Sequence, residues 1–202
     1  MPENNILPFK NEFFRKIIHL LSSFFPILYL YVEKTHLLLI LALANFIIIF
    51  IELNRNQMNY IGKTFNKYIS FVVRPNESKQ LMNATYLCVT YFFIVLFFDK
   101  NIAIYSLLLL SISDSFAAIV GIKYGKINII HSKTLEGTFA FIISGIFLVM
   151  IISITKNYVI DYTTLFLGVL FASIVELLTP SKYDNISVPL SYAFFLTLFL
   201  KI

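Results

Sequence analysis

Seven apolar runs dominate this chain, each close to the ~20 residues that an α-helix needs to cross the hydrocarbon of a bilayer. They lie at roughly Phe13–Tyr31, His36–Leu53, Asn83–Phe98, Ile102–Ile122, Thr138–Thr155, Thr163–Thr179 and Ser187–Leu200. Hydrophobic residues make up 58% of the sequence and charged ones 13%, with a mean hydropathy of +0.81. A water-soluble domain of this size could not hide so much apolar surface, so lipid is the expected solvent. The expected fold is all-α: one polytopic transmembrane bundle of about seven spans occupying residues 1–202. The first run has basic flanks like a signal peptide, but it lacks a small-residue cleavage site and leads into further spans. It is read as a retained helix.

Charge placement sets the expected orientation. Lys10, Arg15, Lys16, Arg55, Lys63, Lys67, Arg74, Lys79, Lys123, Lys126, Lys133 and Lys182 fall on one side of the alternating runs. Only Lys34, Lys100, Lys156 and Lys201 fall on the other. The richer side is expected to be cytoplasmic, with the N-terminus inside and the C-terminus outside. The net charge of +5 is spread between apolar blocks, which suits anionic partners and a membrane surface better than nucleic acid. A single cysteine, Cys88, leaves no disulfide framework and no cysteine-based metal site.

Two long connections, Asn54–Met82 and Lys123–Gly137, lie on the inner side. In the first, Ile61, Phe65, Tyr68, Ile69 and Val72 recur at helical spacing while Lys63 and Lys67 point elsewhere, which predicts an amphipathic helix on the inner leaflet.

Asp114 stands inside the fourth run. A carboxylate at membrane depth costs at least ~2.5–3.5 kcal/mol on insertion scales, so it is expected to have a role or a partner. Ala117, Ala118 and Gly121 share its helix face, a stripe small enough to admit a ligand or a close neighbour. The next segment carries Gly125, Lys126, His131, Lys133, Thr134, Glu136 and Gly137 and runs into the fifth helix. A helix N-terminus with lysines and close-approach glycines suits phosphate, although the order of a Walker A loop is absent. Glu176 lies near the inner end of the sixth run, and Asp184-Asn185 follow between Pro180 and Pro189. Glu12, Arg15, Lys16 and His19 recur along the first helix, with Arg15 and His19 sharing a face. Arg15 and Lys16 read equally as snorkelling anchors. Glu52 and Arg55 read as a helix-end ion pair. Carboxylates and lysines without cysteine suit a hard cation such as Mg²⁺. The chemistry implied is phosphoryl or nucleotidyl transfer from a nucleoside triphosphate to a bilayer component.

These residues resemble the integral-membrane lipid-alcohol kinases: dolichol kinase, phytol kinase and CTP-dependent diacylglycerol kinase. The resemblance covers most of the chain. It rests on Glu12-x-x-Arg15-Lys16-x-x-His19, and on Arg74-x-x-Glu77 before Asn83-Ala84-Thr85. Its most specific part is Asp114-Ser-Phe-Ala117-Ala118-x-x-Gly121-x-x-x-Gly125-Lys126 with Lys133-Thr134-Leu-Glu136-Gly137. Ala172-x-x-x-Glu176 and Asp184-Asn185-x-x-x-Pro189 close it. The resemblance implies Mg²⁺-dependent transfer of the terminal phosphate of CTP to a polyprenol, phytol or diacylglycerol at the cytoplasmic face. Asp114 and Glu136 are then expected to hold Mg²⁺ or move a proton, with Lys133 and Glu176 also catalytic. Gly121, Gly125, Lys126, Lys133, Thr134, Gly137, Asn185, Arg15 and His19 are expected around the nucleotide and its phosphates.

The central signature is shared with CDP-diacylglycerol synthase, a phosphatidate cytidylyltransferase. The synthase's C-terminal His-Gly-Gly…Asp-Arg stretch has no counterpart here, whereas Ser113, where the kinases usually carry glycine, is synthase-like. A small cation or proton transporter using Asp114 and Glu176 is the rival from another class. It lacks an inverted repeat, and the polar residues gather on one side. A catalytically silent scaffold is the third reading.

Overall fold

The computed structural model describes residues 7–75, 77, 80–155 and 161–199, with the side chains of 152–155 excepted. Lys79, Lys156, Leu200 and Lys201, which entered the expectations above, lie outside the described residues.

The first apolar run is two helices, α1 (Phe9–Leu21) and α2 (Phe24–Tyr29). Pro26 has no N–H for the carbonyl one turn back, at Ser22, so the helix breaks there. The Ser22 hydroxyl donates to the His19 carbonyl at the break and meets the Tyr91 hydroxyl at 2.8 Å. α1 is amphipathic in an unusual sense: its buried residues are Glu12, Lys16 and His19, while Phe9, Phe13, Phe14, Ile18 and Leu21 face outward. An inside-out pattern of this kind marks a helix between lipid and a polar interior.

α3 (Lys34–Asn54) and the rod Lys100–Tyr124 are long and apolar enough to cross a bilayer, and Asn83–Phe97, Leu135–Ile151 and Tyr162–Leu178 are shorter apolar helices. α3 is peripheral, with 11% of its apolar window buried against 78% for the rod. Its outward Leu39, Leu43, Phe46, Ile47, Phe50 and Leu53 form an apolar face that water would not tolerate. The rod comprises α6 (Lys100–Leu108), a π-helical turn (Leu109–Asp114) and α7 (Ser115–Tyr124). Around it pack α1, α2, α5 (Asn83–Phe97), α8 (Leu135–Thr155) and α10 (Asp184–Phe199), and α9 (Tyr162–Leu178) packs outside them on α8 and α10. Tyr29, Tyr91, Ile102, Leu107, Leu109, Phe141, Val169 and Tyr192 make the core between them.

The long connections are structured. Residues 54–82 contain α4 (Tyr60–Tyr68) and a 3₁₀ turn (Ser70–Val72). The amphipathic pattern forms a helix only over its first part: Phe65 is buried and Lys63 and Lys67 are exposed, but the helix ends at Tyr68, Ile69 lies beyond it and Val72 falls in the 3₁₀ turn. The segment after α7 departs from the all-α expectation locally: β1 (Asn128–Ile130) pairs antiparallel with β2 (Lys133–Thr134). Its two-residue turn, His131-Ser132, holds φ of 50° and 63°. A tight hairpin needs two left-handed residues, positions that normally fall to Asn-Gly. Without that signal the hairpin was not legible in the sequence.

Glu52 and Arg55 are more than a surface pair at a helix end. They are 2.8 Å apart and buried. Arg55 donates to the Glu77 and Gln80 carbonyls at 2.6 Å each, while Glu52 accepts from the Met82 N–H and the Thr85 hydroxyl. The pair fastens the C-terminal end of the loop and the start of α5 to the end of α3.

Candidate active site

One cavity of about 550 Å³ opens at the pole where α1, the 54–82 loop, the hairpin and the turn before α10 meet. The π-helical turn prepares its floor. A wide turn leaves carbonyls without their usual i→i+4 partners and is common at functional sites. The Ser111 hydroxyl donates to the Leu107 carbonyl and Ser115 to that of Ser111. The Leu110 carbonyl lies 3.3 Å from His19 Nε2. Asp114 closes the turn and enters the cavity, 3% exposed.

Two ammonium groups reach the floor from opposite sides. Lys16 Nζ lies 2.6 Å from Asp114 Oδ2, and His19 Nε2 lies 3.3 Å from the same oxygen. Lys133, carried over the floor by the hairpin turn, lies 2.9 Å from Glu176 Oε1 and 2.8 Å from Asp184 Oδ1. It also donates to the Glu176 carbonyl. Burial works against the Lys133 ammonium, but Asp184 and Glu176 outweigh it and hold its pKa above the ordinary lysine value.

Oxygens of Asp114, Glu176 and Asp184 lie within 4.8 Å of one another. Three buried carboxylates face two ammonium groups, which leaves room for added positive charge. Hard oxygen donors at that separation fit Mg²⁺ shared with a phosphate.

The wall between α7 and α8 is glycine-built. A Cβ on Gly121 would stand 3.0 Å from Thr134 Oγ1, and one on Gly137 would stand 2.9 Å from the Ala117 carbonyl. The Gly137 N–H donates to Thr134 Oγ1 at 3.2 Å. These residues therefore serve close packing beside the site.

Higher in the cavity, Glu12 accepts hydrogen bonds from Arg15 and from Arg74, the latter at 2.7 Å, and Arg15 Nη1 lies 3.9 Å from Glu77. Asn185 spends its amide on the Asn83 carbonyl at 2.9 Å, joining α10 to α5. The opposite flank is apolar, formed by Ile18, Ile48, Ile51, Phe65, Ile69 and Val72. The cavity is thus amphiphilic.

Of the residues singled out in the sequence, Arg15, His19, Asp114, Gly121, Lys133, Thr134, Gly137, Glu176 and Asn185 line this cavity. Gly125, Lys126 and Glu136 do not. Gly125 abuts Thr134 from behind, Lys126 is exposed, and Glu136 turns to the hairpin base, where it lies 3.4 Å from the Ile127 N–H. Two residues do more in the structure than their sequence pattern implies. Lys16 looked like an anchor beside Arg15, yet it is the one that reaches Asp114. Asp184 was visible in the closing motif but gave no sign that it meets Glu176.

The chain is 31% identical over 192 residues to Uncharacterized protein RP860 of Rickettsia prowazekii, across 92% of this chain and 93% of the relative. It belongs to the same family. It is also 30% identical over 142 residues to CTP-dependent diacylglycerol kinase 1 of Saccharomyces cerevisiae, across 68% of this chain. The chain spans about half of that kinase, 49% of its length. No family model matches the chain, and no solved structure matches it.

Proposed function

We propose that this protein is a membrane phosphotransferase that moves the terminal phosphate of a nucleoside triphosphate, CTP, to a lipid alcohol. The observation that carries this reading is the juxtaposition of Asp114, Glu176 and Asp184 with Lys16 and Lys133 on the floor of an amphiphilic cavity. The likeness to the yeast diacylglycerol kinase supports it.

Each part of the floor has a task in this reading. Asp114, Glu176 and Asp184 would hold Mg²⁺, which would supply charge neutralisation for the phosphates. Lys16 and Lys133 would place their ammonium groups against the transferring phosphoryl oxygens. In-line transfer needs mainly positioning and charge neutralisation, which a fixed set of ammoniums and carboxylates supplies. The acceptor's hydroxyl loses its proton to a floor carboxylate oxygen that is not a metal ligand, as its own oxygen bonds to phosphorus and the nucleoside diphosphate leaves. The acceptor's tail follows the apolar flank of Ile48, Ile51, Phe65 and Ile69 into lipid. With about seven spans and the basic connections inside, the mouth faces the cytoplasm.

The test is a transfer assay with purified protein, Mg²⁺ and a panel of γ-labelled triphosphates against polyprenol, phytol and diacylglycerol. Label in a lipid phosphate is the expected result. Label from α-labelled CTP and phosphatidate, with none from the γ-position, would reassign the site to cytidylyl transfer. Cation flux in proteoliposomes without nucleotide would replace both readings with a transporter.

A further inference from the structure

Above the floor, the main cavity runs into a polar annex of about 180 Å³. Arg74, Glu77, Asn83 and Ser181 border both, and Gln80 and Lys182 complete the annex with Pro180. One feature of its wall is unspent. Glu77 is 6% exposed, and its Oε1 has no hydrogen-bond partner, with Arg15 at 3.9 Å. A buried carboxylate oxygen without a donor carries a desolvation penalty that a ligand N–H or O–H would relieve.

The helix α1 gives the distance. His19 and Lys16 stand at the floor beside Asp114, and Glu12 stands beside Arg74. Seven residues of helix separate His19 from Glu12, about 10 Å at 1.5 Å per residue. That matches the reach of a triphosphate whose last phosphorus sits on the floor and whose sugar has left it. Arg15, Arg74 and Lys182 supply cations along and beyond that path. The annex, at about 180 Å³, is too small for the tail of the acceptor, which has its own flank.

We propose that the annex seats the nucleoside of the phosphate donor, and that Glu77 selects a base carrying an amino group. Cytosine offers an exocyclic N–H₂ donor beside ring acceptors, which complements a carboxylate oxygen that has no hydrogen-bond donor and is flanked by Arg15 and Arg74. Uracil turns a carbonyl to the same place, setting acceptor against acceptor. A site built to accept a hydrogen bond rejects an analogue without the donor far more strongly than an apolar pocket rejects one methylene. This assignment rests on the phosphotransferase reading above.

Binding, not turnover, tests it. Labelled CDP is bound to the full chain in detergent–lipid micelles and competed with unlabelled UDP, for the native protein and for Glu77→Gln. CDP is expected to bind at least about tenfold tighter than UDP, and Glu77→Gln to remove or reverse that preference. Equal affinity for CDP and UDP in the native protein overturns the proposal. So does a folded Glu77→Gln protein with the native ratio, or one that loses both ligands equally, since a loop clamp alone would act without regard to the base. Should Glu77→Gln not fold, Lys182→Ala together with Gln80→Ala replaces it, with the same loss of discrimination expected and an unchanged ratio counting against the annex. Selective CDP binding without phosphate transfer to any alcohol would retain the annex and defeat the kinase reading instead.

Discussion

The Lys16 ammonium lies 2.6 Å from the Asp114 carboxylate, joining side chains 98 residues apart in sequence inside a helix bundle. Each group would be a costly buried charge without the other. Breaking such a pair from one side destabilises by about 3–5 kcal/mol, whereas replacing both partners can be nearly neutral. Lys16→Met and Asp114→Asn are each expected to lower thermal stability in detergent, and the double variant to recover most of the loss. Transfer activity is expected to vanish in all three. Retained turnover in Asp114→Asn would remove this carboxylate from the chemistry.

Lys133 uses its ammonium on three acceptors: both Glu176 oxygens named above and Asp184 Oδ1. A planar guanidinium does not point its donors in those directions. Lys133→Arg is therefore expected to lose at least about 100-fold in kcat although the charge is kept. Activity within about tenfold of native in steady-state assays would show that charge alone matters there.

The placement of acidic groups predicts which variants disturb metal dependence. Glu176→Gln and Asp184→Asn are each expected to raise the Mg²⁺ concentration for half-maximal activity by about tenfold or more. Glu136→Gln, at the hairpin base, is expected to shift it by less than about threefold. A titration in which Glu136→Gln has the larger effect would return the metal to the loop.

Gly137 and Gly121 differ in what a methyl group would meet. At Gly137 it meets the Ala117 carbonyl, a backbone atom, at 2.9 Å, and at Gly121 the Thr134 hydroxyl at 3.0 Å. Overpacking of rigid neighbours costs about 1–3 kcal/mol. Gly137→Ala is expected to lose the more stability of the two by thermal unfolding, since a side chain can yield where backbone cannot.

Ser132 holds a left-handed φ of 63°, which costs a non-glycine residue roughly 1 kcal/mol. Ser132→Gly is expected to raise the melting temperature slightly if the strain exceeds the entropy that glycine adds to the unfolded chain. A fall in kcat alongside would mean that the stiff turn also aims Lys133.

Much of this protein was legible residue by residue. The apolar runs marked the long helices because burial in lipid needs only composition and length. Periodicity at Ile61, Phe65 and Tyr68 marks α4, and Asp114 within an apolar run marks the floor. What failed did so where a single residue's neighbours decide the outcome. Glu136 sits in a motif dense with polar residues, but the first turn of α8 points it at the hairpin. The break at Ser22 was hidden by the uniform apolarity of the run, although Pro26 was in plain view.

Composition and local pattern suffice to make the chain helical and apolar and to say which of its segments carry charge. Those properties depend on local pattern and solvent, and neither requires knowing which helix neighbours which. Packing between elements decides that Lys16 rather than Arg15 meets Asp114, that Glu176 and Asp184 converge on Lys133, and that Glu77 has a buried oxygen without a hydrogen bond. Each depends on the rotation of one helix or loop against another, and packing across the whole bundle sets that angle.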